Sequence, residues 1–154
     1  MADKRRDPDQ AEFVTFTVGD QKFCIDIMSL REIRGWSPAT PLPDTPDYVL
    51  GVVNLRGAVL PIIDLALRFG LAESEPSDRS IIMITQVENK MVGLLADSVS
   101  DIITIDPSEV QAAPRYPGDS RNMYVSGLVA REEAMIGLIS LPDVVGEQDQ
   151  VVAA

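Results

Sequence analysis

An internal repeat is the feature of this sequence that most constrains its fold. Residues 48–65 (YVLGVVNLRGAVLPIIDL) align without gaps on residues 124–141 (YVSGLVAREEAMIGLISL), with identical residues at seven of eighteen positions. The segments 20–23 and 88–91 align as well. Chance similarity between two β-hairpins is the alternative explanation, although the coincidences include a tyrosine pair and a glycine pair. We therefore expect two similar subdomains in one chain.

Hydrophobic patterning predicts that both subdomains consist of β-strands. Alternation of period two with β-branched and aromatic residues covers residues 12–18 and resumes at 22–27 after a Gly-Asp turn. Further apolar runs, separated by turn residues, lie within 48–63, 80–105 and 123–141. Four prolines between residues 38 and 46 exclude a helix or a central strand there. Only short helical turns are predicted, near residues 65–69 and 106–109.

The repeat and the strand pattern together predict an all-β domain over residues 12–145. Its subdomains would span about 12–70 and 80–142. A domain of about 60 residues is marginal by itself, so we expect the two to pack together. Four or five short strands in each suit a small closed barrel without exposed edges. Residues 1–11 and 146–154 are polar, and are expected to form a flexible arm and a flexible tail.

Composition argues against an enzyme. The chain has no histidine and one cysteine, Cys24, which excludes histidine-based nucleophilic or metal sites, an internal disulfide and a CxxC pair. The carboxylate pairs Glu132-Glu133 and Asp97/Asp101 lack the spacing of a calcium loop or of acid–base machinery. No cofactor or metal is expected. A net charge of −11 disfavours nucleic acid as a partner.

Targeting features are also missing from the sequence. No apolar run approaches the roughly 18 residues that span a bilayer, so no direct membrane insertion is expected. The first ten residues are basic and acidic without a following apolar region, unlike a secretory signal. We therefore expect a cytoplasmic protein, in which a free Cys24 stays reduced.

One turn is a candidate recognition element. Asn54–Gly57 joins two apolar runs, and a tight turn with glycine at positive φ would explain both end residues. Arg56 is different, because its repeat counterpart is Glu132 and the fold therefore does not require arginine there. Either Arg56 is an ordinary turn residue or it recognises a partner. Glu32 could hold it by a bidentate contact, or could be an ordinary exposed carboxylate.

Apolar residues at matching positions of the two halves form a second candidate site. They are Leu30, Ile33, Val99 and Ile102. Such residues either belong to the core or line a groove between two packed barrels, which could accept a partner helix. Trp36, beside the proline-rich loop, is either an exposed anchor or a cover over the end of the first barrel.

Three segments resemble the CheW family, the adaptor proteins of bacterial chemotaxis. They are FVTFTVGDQKFCIDIMSLREIRG, TPDYVLGVVNLRGAVLPIIDL and VGLLADSVSDIITI, and the resemblance covers about residues 12–145. It implies two intertwined five-stranded β-barrels of the SH3-like or OB-like kind. It further implies that the chain binds the cytoplasmic tip of chemoreceptors and the regulatory domain of the chemotaxis histidine kinase simultaneously.

The resemblance also implies site residues. The positions that match receptor contacts are Leu30, Glu32, Gly51, Arg56, Val99 and Ile102. Those that match kinase contacts are Leu50, Val59 and Tyr116. The chain departs from its relatives after the last strand, where many have a clear helix. Pro142 and Gly146 predict at most a turn there.

The predicted function is a non-enzymatic scaffold that couples transmembrane chemoreceptors to the histidine kinase in membrane-associated signalling arrays. One alternative is an adaptor of a chemosensory-like pathway whose output is not flagellar. An alternative from another class is a small acidic β-barrel enzyme. That enzyme would need a cleft with two convergent carboxylates of perturbed pKa, which no spacing in the sequence predicts.

Overall fold

The computed structural model describes residues 10–71, 75–114 and 124–146. Over these residues the chain forms ten strands and two short α-helices. The strands are β1 (Ala11–Val18), β2 (Gln21–Asp26), β3 (Leu30–Gly35), β4 (Val49–Leu55), β5 (Ala58–Asp64), β6 (Ile81–Val87), β7 (Lys90–Ala96), β8 (Ser98–Ile105), β9 (Val125–Arg131) and β10 (Ala134–Ile139). The helices are α1 (Leu65–Arg68) and α2 (Leu141–Val145). The all-β prediction is confirmed.

The strands form two five-stranded sheets that have the same topology. Sheet A has the order β8-β1-β2-β10-β9, and sheet B has the order β3-β6-β7-β5-β4. When β1–β5 are matched to β6–β10, the two orders become identical, so the sequence repeat is a structural repeat.

Each sheet takes strands from both halves of the chain, which corrects the expected boundaries. The hairpin β1–β2 pairs with β8 and β10, while the hairpin β6–β7 pairs with β3 and β5. The chain crosses between sheets through a single 3₁₀ turn at Ile27–Ser29, and again at Asp97. The segments 12–70 and 80–142 therefore do not correspond to the two sheets, since the halves exchange their first hairpins.

A core shared by the two sheets holds them together. Period two places alternate side chains of each central hairpin on opposite faces. On β1, Val14, Phe16 and Val18 enter the shared core, as do Met83 and Val87 on β6. The other face of each hairpin covers a smaller core within its own sheet. The two sheets are therefore expected to unfold as one unit.

The edges of each sheet are also linked. After β3, Thr40 forms a two-way backbone bridge with Val52 of β4, with N–O distances of 2.9 Å in both directions. Gln111 and Leu128 form the equivalent bridge in sheet A at 2.8 Å. In each sheet, the segment that follows one edge strand therefore pairs with the strand at the opposite edge.

The C-terminal helix corrects one expectation. Instead of at most a turn, residues Leu141–Val145 form a short helix. Pro142 is accommodated because it lies in the first turn, where its missing N–H has no helical partner to lose. Gly146, at φ 61°, ends the helix. Three buried side chains anchor it to the shared core: Leu141, Val144 and Val145.

Arg68, at the C-terminal end of α1, joins the two short helices. Its guanidinium carbon lies 4.1 Å from the ring centre of Tyr48 and 4.8 Å from that of Tyr124, which are repeat counterparts. Its Nε donates to the carbonyl of Val144 at 2.7 Å, and its Nη2 to that of Asp143 at 3.2 Å. One cation thus contacts an aromatic ring from each half and caps the C-terminal end of α2.

Replacing Arg68 by lysine is expected to lower the free energy of unfolding by about 1–2 kcal/mol. An ammonium keeps the charge but cannot donate to both carbonyls while stacked between two rings. Urea denaturation followed by circular dichroism measures the effect. Arg79→Lys, at an exposed site, is the matched control and should leave the midpoint unchanged. Equal midpoints for the two variants would contradict this account of Arg68.

Candidate functional site

The turn between β4 and β5 presents Arg56 to solvent. Both central residues have positive φ, 51° at Arg56 and 89° at Gly57, which is the backbone of a type I′ hairpin turn. The Asn54 Oδ1 accepts the Gly57 N–H at 2.9 Å and fixes the turn. Glu132 has φ 53° in the equivalent turn of sheet A. The backbone therefore accepts either residue, and the arginine side chain is not a requirement of the turn.

Glu32 binds two guanidinium groups. Its Oε2 accepts from Arg56 Nη2 at 2.5 Å, and its Oε1 accepts from Arg34 Nη1 at 3.5 Å. The predicted pairing of Glu32 with Arg56 is therefore present. The expected bidentate geometry is wrong, because each carboxylate oxygen contacts a different arginine. Glu32 lies on β3 and Arg56 follows β4, so the pair also joins opposite edges of sheet B.

The ion pair is exposed to solvent, which limits its contribution to the stability of the fold. The Arg56 side chain is 71% exposed and that of Glu32 28%. The hydrogen bond from Arg56, with smaller contributions from both arginine charges, lowers the pKa of Glu32 below its ordinary value. Exposed pairs add only about 0–1 kcal/mol to stability. What the pair provides is an oriented, accessible guanidinium.

Arg56→Gln is expected to raise the pKa of Glu32 toward 4.5, its ordinary value. The wild-type carboxylate has the lowered pKa, so the ion pair is intact above pH 4.5 and is lost as the pH falls through the folded pKa. An NMR titration of the side-chain carboxyl carbon measures this. Arg34→Gln should move the pKa less, since its contact is longer. Superimposable titrations of wild type and Arg56→Gln would refute the assignment.

The four apolar candidates lie on β3 and β8, which are edge strands of the two sheets, and we call these residues the apolar strip. Leu30 and Val99 are half-buried and pack against that core from β3 and β8. Further along the same strands, Ile33 is 43% exposed and Ile102 is 57% exposed. Both isoleucines lie opposite buried shared-core residues in the strand register, respectively Met83 and Val14. Two of the four candidate side chains therefore pack against the shared core, and the other two are exposed to solvent.

Gly51 differs from the other candidate contact residues because it is buried. It has φ 149°, a backbone region that is almost restricted to glycine. A Cβ there would lie 2.2 Å from the carbonyl oxygen of Thr40. Gly51 therefore permits the Thr40–Val52 bridge. A partner that contacted Gly51 on this side would have to displace the Thr40 backbone and open sheet B.

The candidate kinase contacts Leu50 and Val59 lie on β4 and β5 of sheet B, close in sequence to Gly51 and Arg56. Leu50 is half-buried against the smaller core of that sheet. Val59 is 63% exposed and lines a shallow groove of about 370 Å³ together with Thr40 and Val52. Tyr116 lies outside the described residues. Trp36 packs half-buried against the sheet B core, so it covers that core and is not a free anchor.

Two features of the structure were not predicted from the sequence. One is Arg34 as a second partner of Glu32. The other is Met135, 50% exposed, on the rim of a groove of about 530 Å³ in sheet A. Met135 is the repeat counterpart of Val59, at the same spacing of 76 residues that relates Tyr48 to Tyr124. Applying the spacing of 76 residues to the candidate Val59 would have identified Met135 from the sequence.

Reactive groups are poorly placed for chemistry in the part of the chain that the structure describes. Cys24 is fully buried, and burial raises its pKa to about 12, so its nucleophilic thiolate form is strongly disfavoured. Among residues 10–71, 75–114 and 124–146, no three cysteine or acidic side chains cluster in a way that could hold a metal ion. Across the same ranges, every helix is too short or too polar to cross a bilayer.

Comparisons with known proteins agree on one family. Residues 12–149 match the CheW-like domain family. The chemotaxis protein CheW of Rhizobium meliloti is 47% identical over 142 residues, covering 92% of both chains. That of Bacillus subtilis is 30% identical over 128 residues, covering 83% and 82%. The crystal structure of the scaffolding protein TtCheW from Thermoanaerobacter tengcongensis superposes with a TM-score of 0.77 at 30% identity, covering 84% of this chain and 88% of that one.

Proposed function

The chain belongs to the CheW-like family of chemotaxis adaptor proteins, and from that premise we propose that it couples chemoreceptors to the chemotaxis histidine kinase. It would bind the cytoplasmic tip of the receptor and the regulatory domain of the kinase together, within membrane-associated arrays. No step of this function requires covalent chemistry. The protein acts by holding two partners in one geometry.

The exposed Glu32–Arg56 pair is the observation that supports receptor binding. It lies at the two positions where the family resemblance implies receptor contact, and it adds little to stability. The exposed rim of the apolar strip, with Ile102, supplies nonpolar area on which a receptor helix could pack. A charged residue that orients a partner beside apolar surface is a common arrangement in interfaces.

Val59 is the residue that supports the proposed binding of the kinase. This side chain is exposed on β5, three residues after Arg56, whereas the candidate receptor residues Leu30, Glu32 and Ile102 are on β3 and β8. Simultaneous binding therefore requires that the receptor and the kinase share the β4–β5 hairpin without overlap, the receptor at its Arg56 turn and the kinase at Val59. Because the shared core makes the sheets one body, a shift imposed by the receptor would be transmitted to the kinase contact. Such coupling requires contacts that differ between the active and inactive kinase states.

Reconstitution of receptor, kinase and this chain tests the proposal. The chain should raise receptor-controlled kinase activity, and Arg56→Ala should weaken the coupling without lowering the melting temperature. Glu132→Ala is the matched control, since it alters the equivalent turn of sheet A. Kinase activity that does not respond to the chain would refute the function. Unfolding of Arg56→Ala would instead show that Arg56 is structural.

A further inference from the structure

The crossover between β7 and β8 holds the turn between β1 and β2. The Asp97 N–H donates to the carbonyl of Thr17 at 2.9 Å, and the Asp97 Oδ2 accepts the Gly19 N–H at 2.8 Å. The hydroxyl groups of Ser98 and Thr17 share a further hydrogen bond of 2.7 Å. Three hydrogen bonds therefore join the start of β8 to the end of β1, although these segments are far apart in sequence.

The repeat shows that the shared topology does not require a carboxylate at this crossover. The strand registers relate the two first hairpins at a spacing of 69 residues, so that Leu30 corresponds to Val99. The same spacing makes Met28 the counterpart of Asp97, and Met28 is 76% exposed. A thioether is only a weak acceptor of hydrogen bonds. The bond from Gly19 to a carboxylate is therefore an addition in one half of the molecule.

Asp97 lies between two surfaces of the protein. Val99, a candidate receptor contact, follows it by two residues and packs half-buried against the shared core. On the other side, the residues that follow Gly19 in the turn, among them Asp20 and Lys22, line the groove of about 530 Å³ in sheet A. That groove also contains Met135, the repeat counterpart of the candidate kinase contact. The crossover thus connects a candidate receptor strand to the sheet A groove.

We propose that Asp97 is a positioning residue that transmits a receptor-imposed shift of β8 to the β1–β2 turn and the sheet A groove. This inference rests on the proposed function. The crossover is one residue long, so a displacement of Val99 must move Asp97 as well. The carboxylate holds the Gly19 N–H by a charge-assisted bond, which is stronger than a neutral one. Contiguous contacts of this kind carry coupling between distant sites.

Hydrogen exchange in the full chain tests the bond itself. Asp97→Ala should raise the exchange rate of the Gly19 amide about tenfold, the scale of one lost hydrogen bond. Asp97→Asn keeps an oxygen that can accept the same N–H, and should change that rate by less than about threefold. Asp78→Ala removes the same charge at an exposed site and is the matched control, with no change expected at Gly19.

An NMR titration with the cytoplasmic fragment of a chemoreceptor tests the transmission. In the unaltered chain, the amide resonances of Gly19 and Lys22 should shift together with that of Val99. In Asp97→Ala the Val99 resonance should still shift, whereas those of the β1–β2 turn should not. Asp97→Asn and Asp78→Ala should respond as the unaltered chain does. Loss of the turn response without loss of binding is the result that a merely structural role would not produce.

The outcomes separate this inference from the proposed function. The inference is overturned, and the function stands, if the fragment binds the unaltered chain without shifting the turn resonances, or if Asp97→Ala responds as the unaltered chain does. It is also overturned if Asp97→Ala no longer binds the fragment, since Asp97 would then only maintain the contact strand. Failure of the unaltered chain to bind the fragment overturns both.

Discussion

Gly51→Ala is expected to destabilise the protein by about 3 kcal/mol or more, which sums a strained backbone and a steric overlap. The added Cβ would lie 2.2 Å from the Thr40 carbonyl oxygen and 2.5 Å from its carbon, so the bridge to Val52 would have to break. The midpoint of urea denaturation measures the loss. If this variant also loses receptor binding, the cause is then the opening of sheet B and not a missing contact.

Substitutions at two other glycines distinguish the two causes of destabilisation, backbone strain and steric overlap. Gly35 has open space around a Cβ and no positive φ, so Gly35→Ala should change stability by less than about 0.5 kcal/mol. Gly57 also has open space but has φ 89°, so Gly57→Ala should cost about 1 kcal/mol from backbone strain alone. A Gly51→Ala protein as stable as Gly57→Ala would contradict the steric explanation.

Phe16→Ala should cost about 3–5 kcal/mol, the usual range for removing a buried phenylalanine. Phe16 is fully buried and begins a row of aromatic rings that continues through Phe23 and Phe69 to Tyr124, with centroid separations of 6.1, 4.9 and 5.8 Å. This row links β1 of sheet A to α1 and to the start of the second repeat. Losing its first ring leaves a cavity in the shared core.

The single tryptophan allows a test of whether that core couples the sheets. Trp36 packs on sheet B, whereas Phe16 lies on sheet A. In Phe16→Ala the denaturation midpoints from tryptophan fluorescence and from circular dichroism should therefore fall together. Val59→Ala, at an exposed site, is the control and should leave both unchanged. A fluorescence midpoint that stays at the wild-type value would show that the sheets unfold independently.

The sequence allowed the strands, most turns and the repeat to be predicted, since these depend on local patterns. Period-two alternation located β1 and β2, and apolar runs separated by turn residues located β6 and β7. Asp106-Pro107 correctly indicated a short helical turn, which is a 3₁₀ turn with a capping box. The pairing of Glu32 with Arg56 could be anticipated because the repeat marked Arg56 as unnecessary to the turn. These inferences required no knowledge of the strand order.

The exchange of hairpins between halves could not be derived from those patterns. A hairpin such as β1–β2 has apolar side chains on both faces, which shows that both faces are covered but not by which strands. Pairing of β2 with β10 depends on contacts more than 100 residues apart in sequence. Glu32 and Arg34 are two residues apart on β3 and therefore share a face. That Arg56 reaches the same carboxylate depends on β3 and β4 being the two edges of one sheet, which the sequence does not mark.

Simultaneous binding is the central claim, and co-sedimentation tests it most directly. Receptor-containing membranes are mixed with the labelled regulatory domain of the kinase, with or without the full chain, and pelleted. We predict that the chain carries the regulatory domain into the pellet, that Arg56→Ala strongly reduces this, and that Glu132→Ala does not. A chain that binds each partner alone but releases one when the other is added would contradict the account.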